Sequence, residues 1–160
     1  MQEWNDLYVA VAGAAAALTG LIFVGVSISL TKILSYPTLP NRALVSLILL
    51  LSILTFSILL LIPGKSRTLI GYELTIIGLI VWFSVTRIDL KIHRLKEQQY
   101  KSTYLLNILL NQLAIIPYII GGLCILFIGE AGFYWIVPAF ILSFIKSVLD
   151  AWVLLVEINR

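Results

Sequence analysis

The sequence has one cysteine, Cys124, and it lies inside an apolar run. A lone cysteine excludes an intramolecular disulfide and a thiolate cluster built by one chain, and its setting predicts a buried, inert thiol. With one histidine, His93, and few acids, a zinc or iron site lacks ligands, so neither metal nor cofactor is expected. P-loop, GxGxxG, HExxH and GxSxG motifs are all missing. The one nucleophile pair on offer is Lys146 with Ser143 or Ser147, and no oxyanion-hole segment accompanies it. No enzyme is expected.

Charge is scarce too. Charged residues make up 12% of the chain and hydrophobic ones 61%, where soluble domains carry roughly 25% and 45–50%. A soluble protein of this composition would cover most of its surface with apolar side chains, and the mean hydropathy of +1.05 points the same way. The solvent is lipid. The net charge of +3 is gathered in short clusters between apolar runs, so no nucleic-acid partner is expected. No Lys or Arg precedes the first apolar run, so it lacks the basic head of a cleavable signal and should stay in the mature protein. Gln2 excludes N-myristoylation, and the C-terminus carries no prenylation box.

What is present is a series of apolar runs. A hydrocarbon core of about 30 Å needs about 20 helical residues. Runs of this length fall at about 7–30, 43–62, 68–86, 105–128 and 133–156. The expected fold is a single all-α domain, a bundle of about five transmembrane helices. Pro37 and Pro40, the Pro63-Gly64 turn and the Gly129 to Gly132 segment punctuate it. The linker 87–103 reads as an amphipathic helix, with Ile88, Ile92, Leu95 and Gln99 on one face and Arg87, Lys91 and Arg94 on another.

Basic residues set the expected orientation. With the N-terminus outside, the inner segments hold Lys32, Arg42, Arg87, Lys91, Arg94, Lys96, Lys101 and Arg160, and the outer ones only Lys65 and Arg67. N-out, C-in is expected. Trp4, Tyr8, Tyr134 and Trp135 then form an outer aromatic belt, with Tyr100 and Tyr104 at the inner interface.

Span one is rich in small residues. Gly13, Ala16, Ala17, Gly20 and Gly25 offer small-xxx-small spacings that let helices approach closely in lipid, either within the monomer or as a homo-oligomer seam. Span five carries Ser143, Lys146, Ser147, Asp150 and Glu157 on one stripe. Lys146 lies about 15 Å from the inner end of its span, beyond snorkelling reach, so it faces protein or water with Asp150 as partner. The stripe is a structural ion pair, the lining of a hydrated ion or proton path, or an intersubunit contact.

Span four adds Tyr104, Asn107, Asn111 and Tyr118 at helical spacing, with Gln112 beside them, as interhelical hydrogen bonds or as pore lining. Pro117 is a potential kink. Glu73 either reaches the outer headgroups or marks an outer vestibule. His93, four residues after Asp89, reads as half of a solvated local pair.

The stretch from Ala12 to Leu30, the segment Leu39-Pro40-Asn41-Arg42-Ala43 and the turn Leu61-Ile62-Pro63-Gly64-Lys65-Ser66 resemble a family of small bacterial and archaeal membrane proteins. Some of its members carry the label "modulator of FtsH protease". The resemblance covers roughly the first half of the chain. It implies a multi-pass protein of the prokaryotic cytoplasmic membrane, with a membrane-bound protease as a partner.

The expectation is therefore a non-enzymatic, oligomeric membrane protein with a polar intramembrane path for ions or protons. Lys146 and Asp150 are its charged element, Ser143, Ser147, Asn107 and Asn111 its lining, and Glu73 its outer mouth. The rival is a regulatory or scaffold protein whose intramembrane polar residues only lock helices together.

Overall fold

Backbone polar groups in a bilayer must be satisfied within the chain, which favours continuous helices. The computed structural model, which describes residues 4–95 and 101–158, is built that way. It contains α1 (Asn5–Ile28), a short α2 (Leu30–Ser35), α3 (Leu39–Leu61), α4 (Arg67–Leu95), α5 (Lys101–Phe127), a 3-10 turn (Glu130–Trp135) and α6 (Ile136–Ile158). Five of these segments are long and apolar enough to cross a membrane. No strand occurs among the described residues. Lys96, Gln99, Tyr100 and Arg160, and the side chains of Leu95, Lys101 and Tyr104, lie outside the described residues.

The breaks fall where backbone chemistry puts them. Pro40 sits in the first turn of α3, where its missing N–H costs nothing. Gly64 (φ +76°) turns the chain between α3 and α4, and Gly129 (φ +110°) ends α5. At the start of α4, the Ser66 hydroxyl accepts the Leu69 N–H at 3.3 Å. α5 runs through Pro117 as one helix.

α3, α4, α5 and α6 pack neighbour to neighbour around one interior, and α1 leans on the outside of α3. The end holding Arg42 and Glu157 is called the Arg42 end, and the end holding Lys65 the Lys65 end.

Span three differs from expectation. No helix breaker separates Thr86 from Leu95, so α4 continues through the first half of the linker as part of the same rod. Ile92 and Asp89 on this extension are buried, and Arg87, Lys91 and Arg94 are exposed.

Span one differs as well. α1 packs onto the core through Tyr8, Val11, Ala15, Leu18 and Ile22, a stripe of mostly larger residues. Gly13, Ala16, Ala17 and Gly20 occupy the opposite side and are exposed, and a Cβ added at Gly13, Gly20 or Gly25 would meet nothing within 4 Å. Packing inside the monomer is thus not the role of Gly13, Ala16, Ala17 and Gly20, whereas Gly25 is half-buried. Tyr8 leaves the expected aromatic belt for the same reason and is buried against Phe140, whereas Trp4 and Tyr134 stay at the Lys65 end in edge contact at 5.2 Å.

Close approach occurs instead between α4 and α5. A Cβ on Gly122 would lie 2.8 Å from the Thr75 nitrogen and 3.0 Å from the Gly71 carbonyl. In the 3-10 turn, a Cβ on Gly132 would lie 2.5 Å from the Ile125 nitrogen and 2.7 Å from the Gly121 carbonyl. These glycines let backbones touch, the packing mode that replaces the hydrophobic effect in lipid.

Candidate functional site: a buried charged centre

The inward stripe of α6 changes character along its length. Towards the Lys65 end it is Ile136, Ala139 and Phe140; from Ser143 onward it is Ser143, Lys146, Ser147 and Asp150, all buried. Lys146 is 3% exposed and Asp150 8%. They are ion-paired one helical turn apart, the spacing that lets two side chains on one helix meet.

A second carboxylate joins them from α4. Asp89, only 2% exposed, accepts the Asn111 Nδ2 amide on both oxygens, at 3.0 and 2.9 Å. Asp89 lies about 33 Å along α4 from Arg67, and so towards the Arg42 end. Lys146 is within electrostatic reach of both Asp89 and Asp150, and Arg42 acts on it from α3. Arg42 is itself bonded to Glu157 at 3.3 Å, and Glu157 remains 38% exposed, so the column meets its surroundings at this end.

Hydroxyl groups continue the column. Ser46 donates to the Ser147 carbonyl at 3.4 Å and Ser147 to the Ser143 carbonyl at 2.8 Å. Ser143 donates to the Ala114 carbonyl at 3.2 Å and accepts the Tyr118 hydroxyl at 3.3 Å. There it stops. Tyr118 stacks on Phe56 with centroids 4.4 Å apart and meets Phe140 edge-on at 5.8 Å, and beyond this layer Leu60, Ile70, Leu74, Ile125 and Phe133 fill the interior. The polar column therefore occupies the Arg42 half of the bundle.

Two features of the centre are unbalanced. Set aside the Arg42–Glu157 pair, and two carboxylates face one ammonium. The Asn111 Oδ1 and the Arg42 Nε are buried with no hydrogen-bond partner among the described residues. Buried polar atoms are satisfied as a rule, so an unpaired acceptor beside surplus negative charge is a place for water, a proton or a small cation. The donors are hard oxygens, suited to a proton or an alkali cation and not to a soft metal.

Of the residues singled out from the sequence, Lys146, Asp150, Ser143, Ser147 and Asn111 come together. Asn107 does not join them: it is half-buried one turn nearer the Arg42 end and makes no hydrogen bond among the described residues. Glu73 does not join them either: it lies at the Lys65 end, ion-paired to Lys65 at 2.5 Å beside the α3–α4 turn. Gln112 turns aside to the Trp82 ring N–H at 2.5 Å and to Thr86 at 3.1 Å. Asp89, expected in a solvated pair with His93, is instead buried in the centre, and Arg42, read only as a basic residue of an inner segment, acts on Lys146 from α3. The signal for Asp89 is its place on the stripe of Leu74, Gly78, Val85 and Ile92, which is buried all along α4.

No family model, curated protein or solved structure matches the chain.

Proposed function

We propose that this chain is a non-enzymatic membrane protein that takes up a proton or a monovalent cation at the Asp89–Lys146–Asp150 centre and passes it along a polar path through the bundle. One observation carries the reading. Asp89 is a third ionisable group, 2% exposed, held by a neutral amide and left over once Lys146 has paired with Asp150. The Lys146–Asp150 pair is complete within α6, so Asp89 adds a second carboxylate with no counter-charge of its own, and such a group buried away from water is costly. One added positive charge balances the centre.

The path enters from the Arg42 end, and passage across the whole bundle requires the Phe56–Tyr118–Phe140 layer to part. Purified protein in liposomes carrying a pH-sensitive dye tests this. Wild type is expected to dissipate an imposed proton or alkali-cation gradient, and folded Asp89→Asn to lose most of that flux. Absence of wild-type flux for protons, sodium and potassium would end the transport reading.

The aromatic layer itself favours a second reading. It closes the column with apolar packing, as in a regulatory or scaffold protein, for example one bound to a membrane protease, whose polar residues fix helix rotation.

The proposal includes a homo-oligomer joined through the small-residue face of α1, and an N-out, C-in orientation in the prokaryotic cytoplasmic membrane. The charge asymmetry of the loops supports the orientation. In a Cys124→Ser background, Ala131→Cys is expected to react with an impermeant thiol reagent applied to intact cells, and Arg94→Cys to be protected. Both positions are exposed at opposite ends of the bundle. The reverse labelling would invert the orientation.

A further inference from the structure

We propose that the outward face of α4 is a binding site for an anionic phospholipid, with Arg87, Lys91 and Arg94 holding its phosphate and Ile76, Ile80 and Phe83 lying along its acyl chains. This inference is independent of the charged centre, which lies on the opposite side of the same helix.

At 100° per residue, Ile76, Ile80, Phe83, Arg87, Leu90, Lys91 and Arg94 form one stripe, and all seven are exposed. The stripe is apolar through Phe83 and, Leu90 apart, cationic from Arg87 onward. Its register matches a membrane. Arg87 lies about 30 Å along α4 from Arg67, one hydrocarbon thickness, so the cations fall at the level of headgroup phosphates. Arg87, Leu90, Lys91 and Arg94 line one concavity of about 640 Å³. The Arg87 guanidinium rests over the Phe83 ring, 4.2 Å from its centroid, which orders it at the boundary between apolar and cationic parts. None of the three cations takes part in a salt bridge among the described residues, so their charge is available.

Charge complementarity selects an anion, and the adjoining apolar strip selects one that carries acyl chains. A soluble phosphate would use only half of the stripe. The arginine fork suits phosphate oxygens, and each basic group near a membrane surface contributes about a five-fold gain in affinity for acidic lipid.

The test uses the purified full chain in a neutral detergent, with thermal unfolding read as phosphatidylglycerol, phosphatidylcholine or inorganic phosphate is titrated in. Phosphatidylglycerol is expected to raise the midpoint, with phosphatidylcholine and inorganic phosphate ineffective. Arg87→Gln, Lys91→Gln and Arg94→Gln should each weaken the phosphatidylglycerol response about five-fold, and Phe83→Ala should weaken it with all charges kept. Equal response to both lipids, or an undiminished response in the triple Gln variant, would overturn the proposal. A matching response to inorganic phosphate would make the site one for soluble anions and overturn it as well. Should the triple variant not fold, wild type at high salt decides: loss of the phosphatidylglycerol effect supports the site, and a salt-independent effect rejects it.

Discussion

Lys146→Met is expected to destabilise the protein by about 3–5 kcal/mol, the typical loss when one partner of a buried ion pair is removed. The arrangement makes it the worst change in the centre, because it strands Asp150 and Asp89 together. Asp150→Asn should cost less, since Lys146 keeps Asp89 as a counter-charge. Combining Lys146→Met with Asp150→Asn should recover part of the loss, since Asp89 keeps its Asn111 amide but no counter-charge. Unfolding of the four forms in detergent, read as a double-mutant cycle, gives the coupling directly. Additive losses would mean that the two side chains do not interact, and the centre as described would fall.

The second large effect is steric. Gly132→Ala places a methyl group 2.5 Å from one backbone atom and 2.7 Å from another, neither of which can rotate away. The expected cost is about 1–3 kcal/mol or more, the range for overpacking. Gly122→Ala should behave similarly, driving α4 and α5 apart at Thr75 and Gly71. Gly13→Leu and Gly20→Leu are the contrast, because open space surrounds both positions. Their monomer stability should be unchanged or slightly raised, since Gly is the poorer helix former. If the α1 face joins subunits, these two variants should elute from size exclusion as a smaller species than wild type. Loss of monomer stability in Gly13→Leu with wild-type stability in Gly132→Ala would reverse the packing described here.

Much of this fold is legible in the sequence because lipid imposes a length rule that apolar runs obey openly. The Lys146–Asp150 pair is legible because both residues sit on one helix, four apart, deep in a span that cannot be shortened around them. Asp89 is different. It belongs to the linker 87–103, which reads as a separate amphipathic helix with Asp89 in a solvated pair with His93; the inward stripe of Val85, Asp89 and Ile92 shows instead that span three runs on through it. Its Asn111 contact joins two helices, and pairing across helices has no sequence spacing to announce it. Glu73 is misleading for a related reason, since its partner Lys65 lies across a turn. The small residues of α1 leave two roles open in the sequence, because small-xxx-small spacing says that a close neighbour is tolerated and not which chain supplies it; within the monomer Gly13, Ala16, Ala17 and Gly20 are exposed. The glycines that do accept close neighbours, Gly122 and Gly132, sit in less conspicuous surroundings.

Infrared difference spectroscopy on proteoliposomes tests most directly the proposed exchange of a single positive charge at the Asp89–Lys146–Asp150 centre. Cycling the pH, or exchanging sodium for a large organic cation at fixed pH, should produce a reversible carboxyl band from a buried acid. That band should vanish in Asp89→Asn and persist in Glu73→Gln, whose carboxylate lies outside the centre. An unchanged carboxyl spectrum in wild type under both treatments would contradict the claim and leave the centre as a fixed structural lock.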